Sequence, residues 1–309
     1  MPQSAECCIT YHRAKLISRN DEERPSDSLS WNTCWNFILG FNVPKLLLTV
    51  FEGVSPSLRR VIRFTMPNMI NRIIRQIQRY KGWFGGGAAL CIFLGLYIGL
   101  LASPPDYYQG ELVRIMYVHV PLAHTSTLAY SVLFFGSIWY LWKRDPLVDN
   151  MCQASASICA LFTALALITG SIWAKPTWNT WWTWDPRLVS FTVLLLILGG
   201  YIMLRRLVDD RVQGGRYAAI LAIVGGIDLP IIKFSVEWWR TLHQPMSFST
   251  RGVSISEDIL VPLTLMSIGC WLLFAYMVMV RTQILYLTDL LHAKKGRFLS
   301  QTHFSQTTS

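Results

Sequence analysis

The chain has 309 residues, of which 52% are hydrophobic and 15% charged, where an ordinary soluble domain carries roughly 25% charged residues. Apolar runs fill most of residues 82 to 280, which argues against a soluble enzyme and makes lipid the natural solvent of those runs. The 28 Lys and Arg against 18 Asp and Glu give a net charge of +10; in such a chain, basic residues at the ends of apolar runs mark one membrane face rather than a nucleic-acid surface.

Residues 1–65 have a separate composition, with the mixed-charge run Asp21 to Arg24 and scattered Ser and Pro. They show no helix period, and they match neither a secretory signal, which needs an early apolar stretch, nor a transit peptide, which is poor in acids. A poorly structured N-terminal extension is expected there. From Met66 the pattern changes: Ile70, Ile73, Ile74 and Ile77 recur at helical spacing while Arg72, Arg75 and Arg79 take the other face. Residues 66–82 read either as a basic amphipathic helix lying on the membrane or as a solvated lead-in.

Six stretches follow, at approximately 83–103, 121–142, 152–174, 188–204, 217–236 and 260–280, each near the 17 to 25 residues that a ~30 Å hydrocarbon layer requires of a helix. The last is free of charge between Asp258 and Arg281, whereas the fifth contains Asp228, Pro230 and Lys233. Charges inside a span face the bundle or snorkel, so Asp228 and Lys233 are a candidate polar pair. Runs this long without period-2 alternation exclude an outer-membrane barrel. The predicted fold class is all-α, a polytopic membrane protein with six transmembrane helices over residues 83–285 and a polar C-terminal tail at 286–309.

Near the span ends, 14 Lys and Arg fall on one face, from Arg72 through Lys143 and Arg205 to Arg297, and 5 on the other, namely Arg114, Lys175, Arg187, Arg240 and Arg251. The positive-inside bias places the first face, with both termini, on the cytoplasmic or equivalent organellar side. The opposite loops, roughly 104–120, 175–187 and 237–259, then share one compartment. The seven cysteines include no C-x-x-C pair, which argues against a disulfide framework, a thiolate metal site and covalent haem attachment.

Seven of the 13 tryptophans crowd the external side, and Trp178, Trp181, Trp182 and Trp184 fall within W-N-T-W-W-T-W-D. An aromatic belt at the headgroup boundary explains any single indole. Four in one loop suggest instead an apolar platform for a large planar ligand. Of the six histidines, the topology puts His119, His124 and His243 on that side. His119 ends the first external loop and His243 lies in the third, whereas His124, just beyond the helix start at Pro121, is assigned to the bundle. Neutral imidazoles beside an indole platform suit haem, whose iron takes axial nitrogen ligands. Asp185, directly before Pro186 and Arg187, reads equally as a helix cap or as part of the ligand site. No phosphate-binding G-x-x-x-x-G-K-[ST] and no common hydrolase signature occurs, so any ATP-driven step needs another subunit.

Four segments, P-P-D-Y-Y-Q-G at 104–110, R-I-M-Y-V-H-V-P at 114–121, W-N-T-W-W-T-W-D-P-R at 178–187 and L-P-I-I-K-F-S-V-E-W-W-R-T-L-H-Q at 229–244, resemble the haem exporter protein C (CcmC-type) family of cytochrome c maturation. The resemblance covers about 85–285. It implies six spans, a tryptophan-rich external loop that contacts haem, and axial histidines at His119 and His243. It further implies haem b held non-covalently as cargo and passed to a membrane-anchored CcmE-type haem chaperone. Work with ABC-transporter subunits (CcmA/CcmB-type) and a small single-span CcmD-type partner is implied as well. The family pattern usually has Gly where this chain has Asn179 and Ala where it has Pro186. The expected role is thus a haem carrier, not an enzyme, in a bacterial inner or mitochondrial inner membrane, contacting lipid and no nucleic acid. Two rival readings are a permease subunit for another hydrophobic solute and a membrane redox cytochrome, the latter requiring histidine pairs inside the spans.

Overall fold

The computed structural model describes residues 68–307 apart from 108, 244–247, 250–251 and 254–255, with side chains described over 75–243, apart from 108, and over 256–293. The N-terminal extension 1–65 lies outside the described residues. The elements are α1 (Asn68–Tyr97), running on into a π-helical turn Ile98–Ala102, then α2 (Val113–Lys143), α3 (Pro146–Trp178), α4 (Pro186–Leu207), α5 (Arg211–Gly225), α6 (Asp228–Trp238) and α7 (Glu257–Thr307). Between α6 and α7 two short antiparallel strands, β1 (Phe248–Ser249) and β2 (Gly252–Val253), pair Phe248 with Val253. The molecule is all-α and polytopic.

Local sequence sets several of these ends. Asp145, Asp185 and Asp210 each accept a backbone N–H at the start of α3, α4 and α5, and the first two are followed by Pro at the first helical position, the arrangement that satisfies free amides without wasting a donor. The α3 helix stops at Asn179, whose φ of 57° is left-handed. Asn is one of the few residues besides Gly that adopt that region readily, so the same turn is made where the family pattern has Gly.

Five segments, Arg75–Ala102, Pro146–Trp178, Pro186–Leu207, Arg211–Trp238 and Glu257–Ala293, are long and apolar enough to cross a membrane. The α2 helix, at 31 residues and ~1.5 Å per residue, has the length as well. Its hydropathy is lowered by Thr125, Ser126 and Ser137, which are buried inside the bundle and not turned to lipid. With α2 the expected six passes are present.

The central pair is α2 against α3. The α1 and α7 helices pack together and α7 lies against both α2 and α3, while α4, α5 and α6 pack on the other side through α3·α4, α2·α5 and α4·α6. Val113, Met116 and Tyr117 of α2 form a buried cluster with Ile259, Leu263 and Met266 of α7. Tyr117 is held from the preceding loop by a 2.5 Å hydrogen bond with Ser103. These contacts lock the start of α2 in place.

At the opposite end of the bundle, Asp149 of α3 takes two hydrogen bonds from Arg205 of α4, at 2.9 and 2.8 Å, and lies 3.8 Å from Arg211 of α5. Arg211 also pairs with Asp289 of α7 and donates to Asn150 at 2.6 Å. One charged network therefore ties α3, α4, α5 and α7 together at the lysine- and arginine-rich end.

Three expectations are adjusted by the structure. The helix that begins at Asn68 continues through residues 82 and 83 without a break, so the basic stretch and the first span are one element. The second helix begins at Val113 and carries Pro121 in its interior, because Pro removes one backbone donor without forbidding the turn when neighbouring contacts hold it. His119 consequently lies on a helix and not at the end of a loop. The fifth span is interrupted at Gly226–Ile227. There Asp228 is buried and Lys233 exposed, and no ion pair joins them among the described residues.

Candidate functional site

Each of the two histidines is set by the element that carries it. On α2, His119 is half-buried against α3, with Nδ1 3.0 Å from the Ala166 carbonyl and 3.2 Å from the Thr169 hydroxyl. A carbonyl oxygen only accepts, so Nδ1 bears the proton and Nε2 keeps its lone pair. The ring can lie so close to α3 because residue 170 is Gly: a Cβ there would come within 2.9 Å of His119 Cε1. Trp173, one turn further along α3, meets the imidazole edge-on at 5.7 Å and 67°, and its indole N–H donates to Gln109 at 3.2 Å.

His243 is held by Asp185. Its Nδ1 is 2.9 Å from one carboxylate oxygen of Asp185. The other oxygen accepts the Thr241 hydroxyl and, at 3.0 Å, the Leu242 amide. The same carboxylate caps α4 by accepting the Arg187 amide at 3.0 Å, and Thr241 in turn accepts the His243 amide at 3.1 Å. Asp185 is therefore the cap of α4 and the anchor of the segment after α6 at once.

The electrostatics follow from that arrangement. Burial pushes the Asp185 carboxyl up, yet the Thr241 hydrogen bond, the His243 ring beside it and the two amides outweigh burial and leave it below its ordinary value. Burial pushes the His243 imidazole down; the Arg187 charge acts in the same sense, and Asp185 restores part of the loss without reversing it. Near neutral pH His243 is thus an uncharged ring whose Nδ1–H faces an ionised carboxylate, leaving Nε2 as a free donor atom. Imidazoles whose other nitrogen is fixed by a carbonyl or carboxylate are the usual form of a metal-binding histidine.

The indoles do not form one flat surface. Trp178, the last residue of α3, packs edge-on against His243 at 5.1 Å and 72°. Trp182 is half-buried and crosses Trp184 at 88°, with centroids 5.9 Å apart. Trp181 and Trp184 are 59% and 84% exposed. They present an open apolar surface beside the His243 segment rather than a packed core.

Sequence reading named His119, His243, Trp178 and Asp185, and the structure gives each a defined contact. It missed the residues that hold them, namely Thr169, Gly170, Trp173 and Thr241. Gly170 lies one turn after Ala166 inside an apolar helix, where nothing in sequence distinguishes a helix-packing glycine from a ring-seating one. Arg114, one of the five basic residues of the external face, is engaged within the chain: it pairs with Glu111 at 2.5 Å and donates to the Gly99 and Leu100 carbonyls of the π-helical turn. The described cysteines Cys91, Cys152, Cys159 and Cys270 are free, and no cluster of three or more His, Cys, Asp or Glu able to hold a bare metal ion occurs among the described residues.

The family model described as heme exporter protein C matches residues 60–296. The chain is 43% identical over 217 residues to a heme exporter protein C of Bradyrhizobium diazoefficiens, covering 69% of this chain and 82% of that one. It is 41% identical over 215 residues to the heme exporter protein C of Escherichia coli K12, covering 67% and 85%. It is also 42% identical over 178 residues to a cytochrome c biosynthesis ccmC-like mitochondrial protein of Marchantia polymorpha, covering 57% and 75%.

Proposed function

We propose a function from one premise, that this chain belongs to the heme exporter protein C family: it is a multi-pass inner-membrane protein that delivers haem for c-type cytochrome biogenesis. In this reading haem b is cargo, bound without a covalent link between His119 and His243, with Trp178, Trp181, Trp182 and Trp184 against its apolar face. Asp185 acts through His243 and not on the iron. The chain is a carrier, not an enzyme.

One observation carries the reading: two imidazoles from different elements, each with Nδ1 tied to an acceptor and Nε2 left free. The exposed indoles Trp181 and Trp184 supply apolar area that a planar ring can cover. The segments bearing these groups lie at the end opposite the Asp149–Arg205 network, and the positive-inside bias makes that end external. Haem presented there is open to a membrane-anchored CcmE-type chaperone, while CcmA/CcmB-type ABC subunits and a CcmD-type single-span subunit complete the assembly.

A visible spectrum of the detergent-purified chain, with a haem assay on the same sample, tests this. Bound low-spin haem is expected with both histidines present. Full haem content and an unchanged spectrum in both His119→Ala and His243→Ala would remove the axial assignment.

A further inference from the structure

The span between residues 211 and 238 is discontinuous, and its interruption is built, not incidental. Between α5 and α6 the amides of Gly226, Ile227 and Leu229 reach back three residues, to the carbonyls of Ile223, Val224 and Gly226 at 3.1 to 3.2 Å. The break lies hard against α2: a Cβ on Gly225 would overlap the Tyr130 hydroxyl, and one on Gly226 would overlap the Phe134 ring. Tyr130 is fully buried and donates its hydroxyl to the Ala222 carbonyl at 3.0 Å. Asp228 opens α6 at this point. It is 7% exposed, and its Oδ2 has no hydrogen-bond partner.

Among the described residues, no cation pairs with Asp228. The buried titratable groups beside it, among the described residues, are Tyr130 of α2 and, next to Tyr130, Cys159 of α3. At Gly225, α4 presents Ile197, which is apolar. Lys233 of α6 and His124 of α2 are exposed. An unpaired carboxylate in an apolar bundle is far costlier than the neutral acid. A metal cation would relieve that cost only with several further ligands around it, and no group of three or more His, Cys, Asp or Glu able to hold one occurs among the described residues. A proton needs no further ligand.

We propose that Asp228 is a proton-binding site within the bilayer, and that its occupancy sets the seating of α6 and of the His243 segment that follows it. The only bond made is O–H on the carboxyl group, and the only bond lost is the same one when the proton leaves. The α6 helix ends at Trp238, five residues before His243, so a shift at its first residue is carried along one rigid element to the ligand segment. The second half of the proposal rests on the haem reading above; the first half does not.

Dicyclohexylcarbodiimide, which adds to protonated carboxyls in apolar surroundings and leaves a stable N-acylurea, is the probe. The full chain in detergent is treated across a pH series and the modified peptide is read by mass spectrometry. Asp228 should be modified at neutral pH, the yield falling about tenfold per pH unit once the site titrates, with no protection by sodium chloride. Asp228→Asn mimics the neutral acid, should fold, should give no modified peptide, and should bind haem with an affinity that no longer changes over the pH range in which labelling falls. Absence of labelling at every pH, or protection by sodium, overturns the proton site. Wild-type haem affinity that stays constant while labelling titrates overturns the coupling to His243 and leaves the proton site standing.

Discussion

Asp185 carries more than any other single residue of the site, because one carboxylate serves the α4 amide, the Thr241 hydroxyl, the Leu242 amide and the His243 ring. Replacing it by Ala removes a helix cap worth about 1 kcal/mol and frees the segment that presents His243. Asp185→Ala should therefore lose as much bound haem as His243→Ala while membrane insertion persists; haem retained at the wild-type level would show that the carboxylate is a cap alone. Ligands and indoles should differ in degree. Coordination is one directional bond, whereas aromatic contact is spread over several rings at roughly 0.5–1.5 kcal/mol each beyond buried area. Haem content should fall in the order wild type, then Trp182→Ala or Trp184→Ala, then either single histidine variant, with the double histidine variant lowest. The His243 ring is pushed below its ordinary 6.5 and the Asp185 carboxyl below 3.8, so both favour the folded segment at higher pH and both lose that contribution in acid. In the Asp228→Asn variant, where no intramembrane carboxyl titrates, haem binding through His243 should hold steady above about pH 6.5 and decline only below it, as read by a pH titration of the spectrum. A decline that begins on the alkaline side in that variant would contradict the assignment.

Among the elements, the α3 helix links both ends of the molecule, with His119's acceptors near its C-terminus and Asp149 near its start. The Asp149–Arg205 pair is buried on both sides, at 6% and 4% side-chain exposure. Removing one partner leaves an uncompensated buried charge, at a cost of roughly 3–5 kcal/mol. Arg205→Met should lower the thermal unfolding midpoint of the purified protein sharply, and Asp149→Leu together with Arg205→Met should recover much of the loss. Equal instability of the single and double variants would mean that the network, not the pair, is what matters. The interruption between α5 and α6 shows the converse case, in which the sequence places Gly225, Gly226 and Pro230 inside an apolar run and the helix breaks where those residues permit it.

For the whole molecule, sidedness is the property on which the carrier reading depends. Cysteines placed at Thr177 and Ser247 should be labelled from the same external side, and one at Asp210 from the other, because charge counts of 14 and 5 separate the two faces. Labelling of Thr177 and Ser247 from opposite sides would take the indoles and His243 apart. What composition, run length and charge determined alone is the all-α class, the six passes and the gathering of basic residues at one end. Those signals are local or one-dimensional: lipid demands long apolar runs, and helix caps such as Asp145 with Pro146 are written in adjacent residues. The tertiary structure decided how the histidines are held. His119 faces α3 because Gly170 leaves room for it, and His243 is fixed by a carboxylate at the start of a different helix. Neither contact leaves a trace in spacing, since both arise from close approach between elements far apart in the chain. The same cause moved His119 from a loop onto a helix, as packing of Tyr117 and Met116 against α7 stabilises the turns before Pro121 that propensity alone would have ended.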